Sequence, residues 1–469
     1  MINNQFFTGF LKMSQLSTFV AIALLVVAVI VMAWTKKKTS FSTRMLIGLV
    51  LGLLIGVGIE LAFSGQANYV EFARGEISAW YALLGTTFVR LIQLMAIPVV
   101  FFAIFFVIMD FEGQKIGRFT AKSLLLLLGT TAIAAVVGII ITNLFGLAES
   151  SFAGAIAETT TERIEGYSAQ SFPQFALGLV PSNIFGTLST NSAIISTVVI
   201  AILFASAARF LVGKNNENVI KVVDVFKGLK DMINSSLINI IKLMPYAVVA
   251  LVANALISNG LDAIVSMAQF IGALYVAVIV MLIIYIPILI LAGVNPITFY
   301  KKAYPTMVFA FSSRSSVGTL PYTLDTLQNK MGVSAKTANF VGSLSTTVGM
   351  NGCAGIFPAM LAVIVGAAAG VELNFGFYFL VVVVVTLGSI GIAGVPGTST
   401  VAATVTLNGV GLGNYFDRVG LVFGIDPLID MGRTMLNVTG AMVSAVVVDR
   451  WEATMDMDRY KAKIKDEDR

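Results

Sequence analysis

Residues 426–440 read Asp426-Pro-Leu-Ile-Asp430-Met-Gly-Arg433-Thr434-Met-Leu-Asn437-Val-Thr-Gly440, and they lie inside an apolar run from about 419 to 448. A run of this length can cross a bilayer as one helix. Helical spacing places four polar side chains of this stretch on a single face: Asp430, Arg433, Thr434 and Asn437. Because a charge at bilayer depth costs roughly 2.5–3.5 kcal/mol on insertion scales, these side chains need partners in the protein or in a ligand.

This polar face has two interpretations. A cation, an anion and an amide on one stripe of a spanning helix form a receptor suited to a zwitterion. Alternatively, Asp430 and Arg433 form an internal ion pair that only holds helices together. We favour the receptor, because an apolar pair would do the structural job at a lower cost in free energy.

The composition predicts a polytopic membrane protein. Of 469 residues, 57% are hydrophobic and 12% are charged, against about 25% charged in soluble chains. The net charge of +5 is therefore better interpreted as a loop bias than as a nucleic-acid-binding surface. A single cysteine, Cys353, excludes an intrachain disulfide and a thiolate metal cluster. The absence of histidine excludes imidazole metal sites and Ser-His-Asp triads. We therefore expect a protein that is not an enzyme and has no cofactor, and we assign no metal site.

The apolar runs and the basic residues between them predict a topology. The first run, about 16–34, precedes Lys36-Lys37-Lys38 and indicates a retained anchor with its short N-terminus outside. Six more spans follow, at 44–65, 82–109, 120–147, 190–212, 231–257 and 266–294. Basic loops fall on one side and an acidic loop at 149–165 falls on the other. With two spans later in the chain, this makes nine spans and a cytoplasmic C-terminus.

Two later segments are broken by polar residues, glycine and proline. They are Phe-Ser-Ser-Arg-Ser-Ser-Val-Gly-Thr-Leu-Pro at 311–321 and Gly-Ser-Ile-Gly-Ile-Ala-Gly-Val-Pro-Gly-Thr-Ser-Thr at 388–400. We expect a long helix carrying polar residues after each, with 346–355 inside the first. Such backbone is tolerated at membrane depth only where protein or a water-filled cavity satisfies it, and paired breaks indicate a transporter site. The alternative is a pair of surface loops between ordinary helices.

Three segments of the chain resemble signatures of the dicarboxylate/amino acid:cation symporter family, to which archaeal aspartate and mammalian glutamate transporters belong. They are Arg314-Ser-Ser-Val-Gly-Thr-Leu-Pro321, Gly-Val-Pro-Gly at 394–397, and Asp430-Met-Gly-Arg-Thr-Met-Leu-Asn-Val-Thr-Gly440. The resemblance covers about 43–449. Within the family, Asn-Gly-Cys-Ala-Gly-Ile-Phe-Pro-Ala-Met-Leu-Ala at 351–362 and the extra first span resemble the bacterial L-cystine uptake transporters.

The resemblance implies an all-α, glutamate-transporter-type fold with inverted repeats, two re-entrant helical hairpins and one extra N-terminal span. It also implies a homotrimer in which a transport domain moves like an elevator against a scaffold. The expected organisation is an N-terminal anchor at 1–42, scaffold and transport spans at 43–119, scaffold, trimerisation and transport spans at 120–294, a transport core with both hairpins at 295–449, and a charged cytoplasmic tail at 450–469.

The resemblance also implies roles for individual residues. The hairpins would line the substrate site through Ser315, Ser316, Val395, Pro396 and Gly397. Asp430 and Asn437 would hold the ammonium and carboxylate of the substrate, with help from Thr434. Arg433 would bind a second carboxylate, and this agrees with the bidentate geometry of a guanidinium.

The chain departs from the sodium-coupled members of the family at two positions. Those members read Asn-Met-Asp-Gly-Thr where this chain has Gly-Met-Asn351-Gly-Cys353, and Gly-Asp where it has Gly440-Ala441. Hard cations need oxygen ligands, usually with an anionic group. Two sodium sites are therefore expected to be absent or degraded. These departures do not exclude a third sodium site formed by backbone carbonyls at the second hairpin.

The candidates for ion coupling are Asn351, Thr130, Thr131 and Asp426. An isolated buried carboxylate takes up a proton more readily, so Asp426 is the first candidate for proton coupling. The alternative role of Asp426 is to cap the helix N-terminus. For Cys353, thiol exchange with a disulfide substrate is less favoured than a packing role, because reactivity needs thiolate.

We therefore expect a bacterial inner-membrane symporter that imports L-cystine and similar bis-amino acids, coupled to protons or to fewer sodium ions than glutamate carriers use. One alternative is a symporter for glutamate, aspartate or C4-dicarboxylates, which Arg433 supports and the segment 351–360 opposes. An anion or solute channel is the alternative from another class. The partners expected are the substrate, the lipid bilayer and two further copies of the chain.

Overall fold

A computed structural model describes residues 5–36, 38–66, 68–109, 114–149, 177, 180–190, 193–259, 262–390, 392 and 399–462. Within these ranges the chain is helical and contains no strand. Seven described helices are long and apolar enough to cross a membrane, and a pair bent by 48° adds an eighth span if it is counted as one. The fold is that of a multi-pass α-helical membrane protein.

Nine helices lie among the described residues of the first part of the chain. They are α1 Leu16–Thr35, α2 Phe41–Phe63, α3 Arg74–Met109, α4 Gln114–Leu144, α5 Ile184–Leu188, α6 Ile194–Val212, α7 Glu217–Ile241, α8 Met244–Asn259 and α9 Asp262–Leu291. A π-helical turn at Tyr69–Ala73 leads directly into α3, so this helix begins well before the predicted span at 82–109. Most of the acidic loop predicted at 149–165 lies outside the described residues.

The predicted span at 231–257 is not one continuous helix, because two helices cover it. The helix α7 ends at Ile241, α8 begins at Met244, and the axes of the two differ by 48°. Pro245 in the first turn of α8 has no N–H to donate to the preceding turn. A continuous helix through this proline would lose a hydrogen bond and clash with the carbonyl four residues earlier.

The first polar break is the tip of a helical hairpin formed by α10 Pro296–Ser313 and α11 Ser316–Asp325. Arg314 ends α10 in the left-handed conformation, with φ of 54°. Ser315 then caps α11, because its hydroxyl accepts the N–H of Gly318 at 2.9 Å. Contacts at three successive levels show that the arms are antiparallel: Thr306 with Thr326 at 2.7 Å, Phe309 with Tyr322 at 4.2 Å between ring centroids, and Ser313 with Thr319 at 3.0 Å.

The long helix expected after this hairpin is interrupted. Its first part, α12 Ala335–Leu344, is separated from α13 Phe357–Ala368 by an irregular stretch and a π-helical turn at Asn351–Ile356. Gly349 stands in this stretch with φ of +73°, a conformation that other residues rarely adopt. The interruption frees backbone N–H groups that a continuous helix would use internally.

The second break also joins two antiparallel helices, α14 Phe375–Gly388 and α15 Ser399–Gly409. They pack so closely that a methyl group on Gly388 would lie 2.7 Å from Val405, and one on Gly409 would lie 2.5 Å from Val384. The tip itself, with the predicted site residues Val395, Pro396 and Gly397, lies outside the described residues.

The polar helix is α17 Asp426–Trp451, preceded by the short α16 Gly420–Gly424 and followed by α18 Met457–Lys461. It begins at Asp426, later than the predicted start near 419, and Pro427 occupies its first turn, where a missing N–H costs nothing. Most of its 26 residues are buried, and it contacts α4, α9, α10, α12 and the π-helical turn at Asn351–Ile356. The polar face is therefore inside the protein.

The N-terminal helix α1 packs away from this polar face. Its buried side chains join α2, α3 and α8 in an apolar cluster. The buried carboxylate of Glu76 on α3 accepts hydrogen bonds from the N–H of Ser14 at 3.0 Å, its hydroxyl at 2.5 Å, and the hydroxyl of Thr18 at 2.6 Å. This single carboxylate thus fixes the start of α1 against α3.

The segment after α17 folds back onto the base of the first hairpin. The buried ammonium of Lys302 on α10 donates to the carbonyls of Lys330 at 2.7 Å and Arg459 at 2.8 Å. The hydroxyl of Tyr460 donates to the carbonyl of Asn295 at 2.7 Å. Residues 452–462 therefore close the base of this hairpin, and we refer to them as the C-terminal clasp.

Candidate functional site

Both hairpins reach the first turns of α17. A guanidinium nitrogen of Arg314, at the first tip, donates to the carbonyl of Pro427 at 3.1 Å. The hydroxyl of Ser399, the first residue of α15, donates to Oδ1 of Asp426 at 2.9 Å. The first turns of α17 are thus the point where the two broken segments meet.

Arg433 is the centre of this meeting point. Its side chain is fully buried, and Nη2 donates to Oδ1 of Asp426 at 2.5 Å and to Oδ1 of Asp430 at 3.3 Å. The same nitrogen lies 3.3 Å from the hydroxyl of Ser399. The guanidinium carbon lies 4.2 Å from the centroid of the Phe357 ring, a cation–π contact that fixes the plane of the group.

Two other nitrogens of this guanidinium lack partners. Among the described residues, Nε and Nη1 of Arg433 are buried and make no hydrogen bond. Leaving charged donors unpaired in an apolar environment costs free energy, and an incoming carboxylate would supply the missing acceptors. The ion pairs of Arg433 also join residues of one helix, so they do not tie α17 to a neighbouring helix.

The remaining polar residues of α17 face the π-helical turn. Oδ1 of Asp430 receives the hydroxyl of Thr434 at 3.4 Å and the thiol of Cys353 at 3.7 Å. Oδ1 of Asn437 accepts the N–H groups of Gly352 at 2.7 Å and Cys353 at 3.2 Å. The amide nitrogen of Asn437 donates to the sulfur of Cys353 at 3.1 Å. Asn437 thus holds the irregular backbone after Gly349 against α17.

The two serines of the first hairpin that were predicted for the site differ from each other in their surroundings. The hydroxyl of Ser315 caps α11, whereas Ser316 is a buried residue in the first turn of that helix. Both follow Arg314, whose guanidinium contacts α17. The tip of the first hairpin therefore reaches the first turn of α17.

Three of the four candidates for ion coupling form a second cluster. Oδ1 of Asn351 accepts the hydroxyls of Thr131 at 2.9 Å and Thr130 at 3.3 Å, and its nitrogen donates to the hydroxyl of Tyr285 at 2.6 Å. All four side chains are buried. This neutral cluster joins α4, α9 and the π-helical turn.

Asp426 belongs to the Arg433 group instead. The prediction that it is an isolated carboxylate is wrong, because Arg433 and Ser399 both donate to it. Its alternative role as a helix cap is also wrong. Ile425 occupies the N-cap position, and no side chain there accepts a hydrogen bond.

Sequence reasoning missed four residues that shape the site: Arg314, Ser399, Phe357 and Tyr285. Arg314 and Ser399 lie in the two polar breaks, and the serine and threonine residues around them could have indicated that they belong to the site. Phe357 and Tyr285 lie in apolar helical sequence, where nothing distinguishes them from core residues.

Comparisons with known proteins agree with the resemblance noted from the motifs. The model of the sodium:dicarboxylate symporter family matches residues 41–451. An L-cystine uptake protein of Shouchella clausii is 34% identical over 447 residues, which cover 93% of this chain and 94% of that protein. An L-cystine uptake protein of Bacillus cereus is 33% identical over 466 residues, covering 96% and 97% of the two chains. One from Bacillus licheniformis is 33% identical over 437 residues, covering 91% and 93%.

Proposed function

Because the chain belongs to the sodium:dicarboxylate symporter family, we propose that it is a secondary active symporter that imports L-cystine across the bacterial inner membrane. The observation that carries this proposal is Arg433, a fully buried guanidinium beside a buried aspartate, with two nitrogens that find no partner in the described part of the chain. Relatives named L-cystine uptake proteins support the choice of substrate. The family is one of transporters and not of enzymes.

In this proposal the substrate lies along the first turns of α17, between the two hairpin tips. Asp430 binds the proximal ammonium, with Thr434 beside it. Arg433 binds the distal carboxylate through Nε and Nη1, which make no hydrogen bond to a described residue. Asn437, whose oxygen accepts the N–H of Gly352, binds the proximal carboxylate through its amide nitrogen. As the family resemblance implies, the residues that line the site from the hairpins are Ser315, Ser316, Val395, Pro396 and Gly397.

We further propose a homotrimer in which the two hairpins, α12, α13 and α17 move as a transport domain by an elevator mechanism. The N-terminus lies outside and the C-terminus lies in the cytoplasm. Contacts of the first hairpin tip and of the start of α15 with one helix support a unit that moves together. The separate packing of α1 with α2, α3 and α8 supports its assignment to the scaffold side.

The coupling ion in this proposal is a proton, or fewer sodium ions than glutamate carriers use. The cluster of Thr130, Thr131 and Asn351 offers oxygen ligands but contains no carboxylate, whereas sites for hard cations usually include an anionic group. Uptake into proteoliposomes under imposed pH and sodium gradients, one at a time, tests the proposal. A Hill coefficient for sodium above roughly two, with no response to pH, would contradict it.

A competition panel against labelled L-cystine uptake in proteoliposomes tests the substrate. We expect L-cystine and similar bis-amino acids to compete, and glutamate, aspartate and succinate to compete weakly. Strong competition by the dicarboxylates alone would favour the alternative symporter. Saturable counterflow of L-cystine is expected of a carrier, and its absence with unsaturable flux would indicate a channel.

A further inference from the structure

L-Cystine has an ammonium and a carboxylate at each end, so a receptor for it must satisfy four charges. In the proposed function, on which this inference rests, Asp430 and Asn437 serve the proximal end and Arg433 serves the distal carboxylate. The distal ammonium is left without a partner. Burying an unpaired ammonium costs much free energy, so a site that encloses L-cystine needs a second acceptor.

Asp426 stands at the distance that this acceptor requires. It precedes Asp430 by one helical turn, a rise of about 6 Å. The α-carbons of two disulfide-linked cysteines are usually about 5.5–6 Å apart. The α-carbons of these two aspartates on α17 therefore have about the spacing of the two α-carbons of L-cystine.

Both carboxylates retain an oxygen for a ligand. The contacts of Asp426 with Ser399 and Arg433 use Oδ1, and the contacts of Asp430 with Arg433, Thr434 and Cys353 use Oδ1 as well. In the described part of the chain these contacts leave Oδ2 of each residue for another donor. Both aspartates are buried.

The charges around Asp426 fit a zwitterionic end of a substrate. Arg433, whose Nε and Nη1 have no partner among the residues that the structure describes, lies against it, and Arg314 approaches from the first hairpin at Pro427. A distal carboxylate would meet Arg433, and the ammonium on the same α-carbon would meet Asp426. A buried guanidinium with unmade hydrogen bonds is a second, independent sign that this group of charges awaits a ligand.

We propose that Asp426 binds the distal ammonium of L-cystine and thereby determines specificity for bis-amino acids. Asp426 and Arg433 form the receptor for one amino-acid end, and Asp430 and Asn437 form the receptor for the other. Glutamate and aspartate have no second ammonium for Asp426. A dicarboxylate would thus leave this carboxylate facing the substrate's own negative charge.

The test measures binding to the purified full-length protein in lipid nanodiscs by isothermal titration calorimetry. Two probes are L-cystine and the mixed disulfide of L-cysteine with β-mercaptopropionate, which is L-cystine without its distal ammonium. The unmodified protein should bind L-cystine at least roughly tenfold more tightly than it binds the mixed disulfide, because the mixed disulfide cannot form the buried charge pair with Asp426. In Asp426→Asn this preference should shrink to within about twofold. The matched control, Asp430→Asn, should weaken both probes and keep the preference, because both carry the proximal ammonium.

The possible outcomes separate this inference from the proposed function. If the unmodified protein binds both probes equally tightly, the inference is overturned whether or not the variant folds. If a monodisperse Asp426→Asn variant keeps the full preference for L-cystine over the mixed disulfide, Asp426 only positions Arg433 and the inference is overturned. Failure of the unmodified protein to bind L-cystine at all would overturn the proposed function as well.

Discussion

At the scale of single residues, Arg433 has the largest role, since both aspartates, Ser399 and Phe357 contact its guanidinium. Removing one partner of a buried charge-assisted interaction costs about 2–5 kcal/mol. We predict that Arg433→Ala remains a folded oligomer but binds L-cystine more than tenfold more weakly and scarcely transports it. Calorimetry and proteoliposome uptake measure this, with the exposed Arg118→Ala as control. An unchanged apparent affinity in Arg433→Ala would show that the role assigned to it is wrong.

Cys353 contacts two residues of the site, yet we predict that its thiol takes no part in chemistry. A serine hydroxyl can donate to Asp430 and accept from Asn437 as the thiol does. Cys353→Ser should therefore transport L-cystine at a rate close to that of the unmodified protein. Initial rates of labelled uptake check this, and a folded but inactive Cys353→Ser would revive the exchange mechanism.

Helical periodicity predicted part of this residue-scale arrangement. It placed Asp430, Arg433, Thr434 and Asn437 on one face, because all four lie on one continuous helix. It did not predict that Arg433 reaches back two turns to Asp426, although long helical side chains generally point toward the N-terminus. Contacts from Ser399 and Phe357 depend on tertiary packing and had no local signal.

At the scale of elements, the π-helical turn at Asn351–Ile356 approaches α17 so closely that a side chain at Gly352 has no space. A methyl group there would lie 2.6 Å from the α-carbon of Arg433. We predict that Gly352→Ala lowers the midpoint of thermal unfolding and weakens L-cystine binding, since α17 must shift. Gly58→Ala is the matched control, because a methyl group there meets nothing within 4 Å. Equal unfolding midpoints and affinities in the two variants would refute this close contact.

The neutral cluster of Thr130, Thr131, Asn351 and Tyr285 links three elements and supplies a second test. Asn351→Asp introduces a carboxylate among two hydroxyls that already point at this position. We predict that this variant gains sodium dependence of L-cystine uptake relative to the unmodified protein, because an anionic oxygen favours a hard cation. Uptake measured against sodium concentration at fixed pH is the readout. Thr131→Val combined with Asn351→Asp should lose the gain, and a sodium response that stays flat in Asn351→Asp alone would contradict the prediction.

The sequence indicated both polar breaks, each of which lies between antiparallel helices, but not the interruption between them. Serine, glycine and proline mark the hairpin tips strongly. The irregular stretch after Leu344 contains a single diagnostic residue, Gly349, and its left-handed conformation is visible only in the folded chain. Similarly, one proline at 245 was too weak a signal against the long apolar run that surrounds it.

At the scale of the whole molecule, the distribution of basic residues makes a topological prediction. The basic segment after α1 should lie in the cytoplasm, on the same side as the basic ends of later helices. In a variant with Cys353→Ser as background, single cysteines at Lys36 and Lys38 should resist an impermeant thiol reagent added from outside. Both positions are exposed, so burial would not explain protection. Labelling of these cysteines from the outside only would show that the predicted topology is inverted.

The C-terminal clasp has a consequence for how this chain is made. Lys302 emerges from the ribosome long before Arg459, whose carbonyl accepts from its ammonium. Tyr460 must likewise return to a carbonyl at Asn295. While the intervening residues are synthesised, the base of the first hairpin is not yet covered. The ammonium of Lys302 is then exposed to the surroundings of the nascent chain. The first hairpin is thus completed only after α17 has been translated, because the residues that cover its base follow that helix in the chain.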